Sequence, residues 1–146
     1  LRSTDLVPFA DAIASGAEAV MMAHVTYPDV DSRPAGYSRI WVGDVLRGEL
    51  GFRGAVIGDD IGMTAAESVG SIAARIAGHL LAGCDLLLAC NPSIVDESIA
   101  ASVNATPCDP AILATLQGAI AQTWEALIDN PQRDEFIARL VALDPA

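Results

Sequence analysis

The chain has few basic residues, few cysteines and no long hydrophobic run. Eight Lys and Arg residues stand against 19 acidic residues, which gives a net charge of −11. Nucleic-acid binding needs clustered basic side chains, so we expect no nucleic-acid partner. No apolar stretch approaches the roughly 20 residues that cross a bilayer, so we also expect no membrane partner. The 146 residues, 52% of them hydrophobic, predict a soluble chain that forms one domain or part of one.

The cysteine content gives no sign of a disulfide framework. There are three cysteines, an odd number. Cys84 and Cys90 fall in one predicted strand, roughly 20 Å apart when extended, and Cys108 falls in a predicted loop. We therefore predict reduced thiols and a cytoplasmic location. The first residues contain neither Met nor a signal-peptide pattern, and we expect Leu1 to be an internal boundary of a longer protein.

What the chain does contain is a repeated order of helix and strand. Apolar spacing predicts helices at 5–15, 38–50 and 67–81 and strands at 19–25, 55–58 and 85–89. Ser3 or Thr4 is expected to cap the first helix, and a glycine follows each of the three helices. Further helices are predicted at 94–102, 110–127 and 133–143, the last two capped by Asp109 and Asn130.

This order predicts an α/β fold with parallel strands. Such strands form either an open doubly wound sheet or a closed (β/α)8 TIM barrel. The sequence has no G-x-G-x-x-G motif and no P-loop, so the barrel is favoured. A complete barrel needs about 250 residues. We therefore predict that residues 1–146 are the C-terminal part of a single TIM-barrel catalytic domain, with about three βα units plus C-terminal helices, and that the N-terminal part is absent from this chain.

Two neighbouring carboxylates follow the most apolar strand. Asp59 and Asp60 come directly after the strand at 55–58. Functional groups of parallel α/β folds lie at the carboxyl ends of the strands, which makes Asp59 the first candidate for chemistry. Because successive strand residues point to opposite faces, only one of the two can face the barrel axis. If that residue is Asp59, it suits a nucleophile or a metal ligand, and Asp60 then suits a cap or a bond to a nearby backbone amide.

Blander interpretations compete with each of these assignments. A single Asp at a strand end most often serves a turn or a cap. One Asp and one His fall short of a metal site, so we expect neither a metal nor another cofactor. His24 ends the preceding strand and is typical of a hydrogen-bonded wall residue, while His79 lies inside an apolar predicted helix and is less notable still.

Several segments together resemble one enzyme family. They are Met22-Ala23-His24-Val25, Pro34-Ala35, Ser38, the run from Leu46 to Gly54 (LRGELGFRG), Asp59-Asp60 and Met63. In this order they resemble the bacterial β-N-acetylhexosaminidases of glycoside hydrolase family 3, the NagZ type of peptidoglycan recycling. The resemblance runs from about Leu1 to Asn91 and is vague beyond that point.

The resemblance implies a retaining glycosidase on a (β/α)8 barrel with Asp59 as nucleophile. The expected substrate is a GlcNAc-containing muropeptide, from which terminal N-acetylglucosamine is removed. The resemblance also implies that the general acid/base is a His supported by an Asp on a mobile loop. That loop, and a Lys-His pair that holds the sugar, lie upstream of the segment matching Leu1. The N-terminal remainder of the same barrel is therefore an expected partner, and this chain alone should be nearly inactive.

One residue departs from the family pattern, and two other functions stay open. Gly58 stands where the family usually has Ser or Thr. His24 corresponds to a wall residue of the substrate pocket in the family. The alternatives are a family 3 glycosidase that acts on another β-glycoside and a non-catalytic sugar-binding or scaffold fragment that has kept the barrel core.

Overall fold

The computed structural model describes residues 2–118 and 123–143 and shows an α/β arrangement. Its strands are β1 (Ala19–Met22), β2 (Thr26–Tyr27), β3 (Asp31–Pro34), β4 (Ala55–Gly58) and β5 (Leu86–Leu87). Its α-helices are α1 (Val7–Ala14), α2 (Ile72–Ala82), α3 (Val95–Ser102), α4 (Pro110–Thr115), α5 (Trp124–Ile128) and α6 (Pro131–Leu143). A π-helix spans Ile40–Glu49, and short 3-10 helices span Ala35–Tyr37, Thr64–Val69 and Pro92–Ile94.

The central sheet is parallel and has the strand order β1-β4-β5. Met22 pairs with Gly58 and Ile57 pairs with Leu86, so β4 lies between the other two strands. The first two residues of β4, Ala55 and Val56, are fully buried. This burial agrees with the continuous apolar run, which is typical of a parallel strand covered on both faces. The predicted α/β class and the three parallel strands are therefore present. The outer two strands are shorter than predicted.

The segment between β3 and β4 is helical, but it is a π-helix and not an α-helix. The amide of Leu50 donates to the carbonyl of Val45 at 2.9 Å, an i to i−5 bond. This wider winding changes which side chains face the core: Val42 is buried, whereas Ile40, which α-helical spacing placed on the apolar face, is 38% exposed. Trp41 and Leu46 stay on the buried face and pack with Val42 against β4.

An antiparallel hairpin, β2–β3, follows β1 and was not predicted. Its strands are two and four residues long and are rich in polar residues, so they show no hydrophobic alternation. Asp31 holds the turn: its carboxylate accepts bonds from the Arg33 guanidinium at 3.0 Å and from the Ser38 hydroxyl at 2.6 Å. These bonds lower the pKa of Asp31. The hairpin places Ala35–Tyr37 against the end of β1.

Several predicted helix boundaries differ in the structure. The helix expected at 67–81 is a 3-10 helix followed by α2, because Gly70 adopts a φ of 112° between them. The helix expected at 110–127 is interrupted: α4 ends at Thr115, and Thr123 is the cap of a separate α5. Part of that predicted helix, 119–122, lies outside the described residues.

The predicted caps give a mixed result. Asp109 caps α4 by accepting a bond from the Ala111 amide at 2.8 Å, and Asn130 accepts one from the Gln132 amide at 2.9 Å. The predicted cap of α1 is wrong, since Leu6 is the residue at that position and no side chain bonds there. Within the described residues, no helix combines the length and apolar character that crossing a membrane would require.

Candidate active site

Asp59 lies at the carboxyl end of β4, the central strand of the parallel sheet. Its amide donates to the carbonyl of Met22 at 3.2 Å and so continues the ladder between β4 and β1 by one residue. Among the described residues, its carboxylate accepts one hydrogen bond, from the amide of Asp60 at 2.8 Å. The side chain is half-buried. Within the part of the chain that the structure describes, most of its capacity to accept hydrogen bonds is therefore left for a ligand.

Asp60 is held by the backbone on both sides. Oδ1 accepts a bond from the amide of Cys90, which follows β5, at 3.0 Å, and another from the amide of Gly62 at 3.0 Å. These two amides lower the pKa of Asp60 because they stabilise the charged form. Asp60 thus joins the segment after β4 to the segment after β5. The backbone-binding role expected from the sequence is confirmed for this residue.

His24 lies just beyond β1, and the structure places its ring in the interior. Its exposed fraction is 9%, and its Nε2 atom lies 3.0 Å from Nε2 of His79 on α2. Burial lowers the pKa of His24, while the negative charges of Asp59 and Asp60 act in the opposite direction. His24 is therefore within electrostatic reach of both carboxylates. Its role as a pocket wall stays a prediction.

A group of buried rings surrounds this pair of histidines. The ring of Tyr37 stacks on His24 at 5.4 Å between centroids and lies 4.0 Å from the ring of His79. Sγ of Cys84 lies 3.7 Å from Nδ1 of His79. Burial raises the pKa of Tyr37 and of Cys84 to about 12, so both stay protonated at neutral pH. We call His24, Tyr37, His79 and Cys84 the buried ring cluster.

Arg75 on α2 fixes the backbone between β4 and α2. Its guanidinium donates to the carbonyl of Ile61 at 2.8 Å and to that of Gly70 at 2.7 Å. Both acceptors belong to the segment that directly follows the two carboxylates. The arginine therefore sets the path of the chain that leaves Asp59 and Asp60.

The arrangement offers a half-buried carboxylate near a group of buried rings. No set of three or more His, Cys, Asp or Glu side chains in the part of the chain that the structure describes is grouped as a metal would require. A half-buried carboxylate with free acceptor positions can act as a nucleophile or bind a hydroxyl group.

Comparison with known proteins decides the family. Residues 1–121 match the glycosyl hydrolase family 3 N-terminal domain. The chain belongs to glycosyl hydrolase family 3. A beta-hexosaminidase of Stenotrophomonas maltophilia (strain K279a) is 50% identical over 141 residues, which are 97% of this chain and 42% of the relative. The family 3 chain thus spans less than half the length of the curated relatives that it matches.

Solved structures of NagZ have a similar fold. NagZ from Neisseria gonorrhoeae in complex with N-trifluoroacetyl-D-glucosamine aligns with a TM-score of 0.79 at 31% identity, over 99% of this chain and 43% of that one. Native NagZ from the same organism aligns with a TM-score of 0.76 at 30% identity, over 99% and 42%. The resemblance read from the sequence motifs is confirmed at the level of the family.

Sequence reasoning missed most of the buried ring cluster. The sequence pattern indicates an ordinary helix residue at His79 and no role at the site for Tyr37 or Cys84. The contact between His24 and His79 joins residues 55 positions apart, which no local pattern reveals. The glycines at 36, 58 and 78 are the sequence feature that could have indicated the cluster. Each lies against one of its rings and lacks a side chain that would collide with that ring.

Proposed function

We propose that this chain is the C-terminal part of a (β/α)8 barrel that hydrolyses β-linked N-acetylglucosamine with retention of configuration. The observation that carries the proposal is the position of Asp59, with a largely unoccupied carboxylate, at the carboxyl end of the central parallel strand. The family membership and the hexosaminidase relatives support the reaction class. The relative bound to N-trifluoroacetyl-D-glucosamine supports a sugar with an acylated amino group.

In the proposed mechanism, ionised Asp59 attacks the anomeric carbon of the sugar. The bond from that carbon to the leaving oxygen breaks, a glycosyl ester forms on Asp59, and water then cleaves the ester. A second group must protonate the leaving oxygen and later deprotonate the water. We assign this step to a His, supported by an Asp, that precedes residue 1 of this chain. We also assign the natural substrate to the GlcNAc-containing muropeptides of cell-wall recycling in the cytoplasm.

The exposed apolar residues around β1 support the proposal that more of a barrel covers this side. Within the described residues, β1 pairs with β4 alone. Met21 on β1 is 57% exposed, Phe9 on α1 is 50% exposed and Val25 is 49% exposed. Apolar side chains concentrated at an unpaired strand edge are typical of a surface that another part of a protein covers. The N-terminal remainder of the barrel is the partner we propose for it.

The test begins with denaturing intact mass and a β-N-acetylglucosaminide assay on the same sample. Activity that copurifies with a second, larger chain, or with a longer polypeptide containing these residues, is the expected result. A lone chain of 15.1 kDa that hydrolyses the substrate would overturn the assignment of the acid/base. Turnover of other β-glycosides in preference to the N-acetylglucosaminide would indicate a different specificity within the family, and no turnover of any glycoside would favour a non-catalytic role.

The nucleophile is tested by chemical rescue in the full-length protein. With Asp59→Gly, an activated β-N-acetylglucosaminide and added azide should give the α-glycosyl azide, because azide attacks once from the face that the carboxylate has vacated. Asp60→Gly is the matched control, since it removes a neighbouring carboxylate that binds backbone amides. Azide product from Asp60→Gly in place of Asp59→Gly would move the nucleophile by one residue.

A further inference from the structure

The ring of His79 is fully buried, and the mechanism proposed above does not use it. It reaches from α2 toward the ends of β1 and β4, where Nε2 meets Nε2 of His24 at 3.0 Å. Burying an imidazole without a partner costs free energy. The contact with His24 satisfies Nε2 of His79, and Nδ1 lies 3.7 Å from Sγ of Cys84.

Two glycines provide the space that this ring occupies. A Cβ added at Gly58 would lie 2.7 Å from Nδ1 of His79, and one added at Gly36 would lie 2.6 Å from Cε1. Distances this short are not tolerated between packed atoms. Neither glycine has a positive φ, so the backbone itself would accept another residue at both positions. The imidazole therefore occupies space that a side chain at either position would need, together with a methyl group of Leu87 at position 58. We call Gly36, Gly58 and the ring between them the glycine cradle.

The unpaired atoms of the cluster indicate which histidine donates. Nδ1 of His24 is buried and has no hydrogen-bond partner among the described residues. A buried ring nitrogen without a proton costs less free energy to leave unpaired than a buried N–H donor does. The proton of His24 is therefore on Nε2, which donates a hydrogen bond to Nε2 of His79. Nδ1–H of His79 then faces the Gly36 backbone and the Cys84 sulfur. Burial lowers the pKa of His79 to about 4, which keeps its ring neutral near pH 7.

The histidine that is held in this way is the neighbour of the candidate nucleophile. β1 and β4 run in parallel with Met22 opposite Gly58, so the residues after Met22 lie beside those after Gly58. The charges of Asp59 and Asp60 act on His24 across this gap. Its fixed, neutral ring keeps the space beside the carboxylates unchanged, whereas a freely turning ring could donate N–H to Asp59 and reduce its nucleophilicity.

We propose that His79 is a positioning residue: it accepts a hydrogen bond from Nε2–H of His24, fixes that ring beside Asp59, and occupies the space left open by the glycines at positions 36 and 58. The inference rests on the proposed function in one respect, since Asp59 must be the reacting group for the position of His24 to affect turnover. The hydrogen bond itself can be measured without substrate.

The test compares three substitutions of His79 in the full-length protein. Gln can place an amide oxygen near the position of Nε2, Asn is too short to reach it, and Leu fills the space without an acceptor. His79→Gln should keep kcat within about three-fold of the original, whereas His79→Asn and His79→Leu should lower kcat about ten-fold with KM changed less than about two-fold. The Gln and Asn variants form a matched pair, because both bring an amide into the cradle.

The second readout is the 15N and 1H NMR spectrum of the imidazole of His24. The original protein and His79→Gln should show a proton on Nε2, and His79→Leu should show mixed or Nδ1 protonation. An unchanged His24 spectrum in His79→Leu would overturn the inference. A changed spectrum together with an unchanged kcat in His79→Asn would also overturn it, because the bond would then serve stability alone.

The spectra separate this inference from the proposed function. If the full-length protein hydrolyses no N-acetylglucosaminide, the proposed function fails, while the His24 spectra still confirm or overturn the hydrogen bond to His79. If hydrolysis is present and the three variants all behave as the original protein does, the function stands and the positioning role of His79 is overturned.

Discussion

Asp59 and Asp85 lie at opposite ends of the parallel sheet, and their carboxylates are bonded differently. Asp85 precedes β5, at the end of the sheet opposite to Asp59. Its Oδ2 accepts bonds from the guanidinium of Arg47 at 2.8 Å and from the amide of Val56 at 2.7 Å. The same guanidinium donates to the carbonyl of Gly54 at 2.7 Å. Asp85 and Arg47 thus tie the starts of β4 and β5 to the π-helix.

Asp59, at the other end, accepts one bond among the described residues, from the amide next to it. The difference shows how one residue type serves two purposes in one small fold. A carboxylate whose oxygens are occupied by the protein holds strands in place, and one whose oxygens are free can meet a ligand. The carboxyl ends of parallel strands are the usual place for the second kind.

The largest effect should come from removing the free carboxylate. In the full-length protein, Asp59→Ala should lower kcat by roughly 10⁴-fold or more, because the proposed covalent nucleophile is lost. Its melting temperature should stay close to the original, since the carboxylate makes one hydrogen bond within the described residues. Steady-state kinetics and thermal melting on the same sample check both parts. Retained turnover would contradict the nucleophile assignment.

Removing the carboxylate of Asp85 should lower stability and leave turnover almost unchanged. Asp85→Ala should reduce the free energy of unfolding by about 3 kcal/mol, because Nη2 of Arg47 and the Val56 amide lose the acceptor that they share. Urea denaturation measures this change. The kcat of the molecules that remain folded should be within about three-fold of the original. A stability equal to that of the original would mean that the ion pair does not tie the strands together.

The space beside the free carboxylate can be tested by filling it. Gly58→Ala should cost about 2 kcal/mol, because the new Cβ would lie 2.7 Å from the His79 ring and 2.6 Å from a methyl group of Leu87. In the double variant with His79→Ala the cost of the Gly58 change should be smaller. A double-mutant cycle of urea midpoints measures this coupling. Additive effects would show that the ring does not limit position 58.

As the pH falls, the stability of the protein should first decrease because of the buried ring of His79, and only at lower pH because of the carboxylates. Burial depresses the pKa of His79 in the folded state to about 4, against 6.5 as its ordinary value. The unfolded chain therefore binds a proton that the folded one does not, and stability is fully present above pH 6.5 and is lost as the pH falls toward 4. The slope should approach about 1.4 kcal/mol per pH unit.

The matched variant for this pH dependence is His79→Leu. In this variant the free energy of unfolding should no longer show the part of its pH dependence that comes from His79. Urea denaturation at half-unit steps from pH 4 to pH 7 gives the comparison. Asp60 has a lowered pKa, so its contribution to stability is present above its ordinary pKa and is lost at more acid pH. Equal slopes for the two proteins would contradict the neutral, buried state of His79.

The sequence predicted the parts of the fold that depend on local signals. β4 has the predicted bounds because an apolar run between Gly54 and the carboxylates leaves little freedom. The role of Asp60 also followed from its place at a strand end. The family followed from the segments around Arg47 and Asp59, which carry the resemblance over most of the chain.

The rest depends on contacts that no local pattern records. The hairpin β2–β3 is held by the bonds from Arg33 and Ser38 to Asp31, and not by alternating apolar residues. The π-helix arises from bonds to the fifth preceding residue, for which helical spacing gives no separate sign. His79 and His24 meet only when α2 packs on the sheet. Each of these features is decided by tertiary packing.

The glycine cradle also couples three positions that lie far apart in the chain. A Cβ at position 58 or position 36 would crowd the imidazole at position 79. A side chain at either glycine should therefore cost more stability beside His79 than beside a smaller residue at that position. Positions 36, 58 and 79 thus form one packing unit, although they belong to three separate segments of the fold.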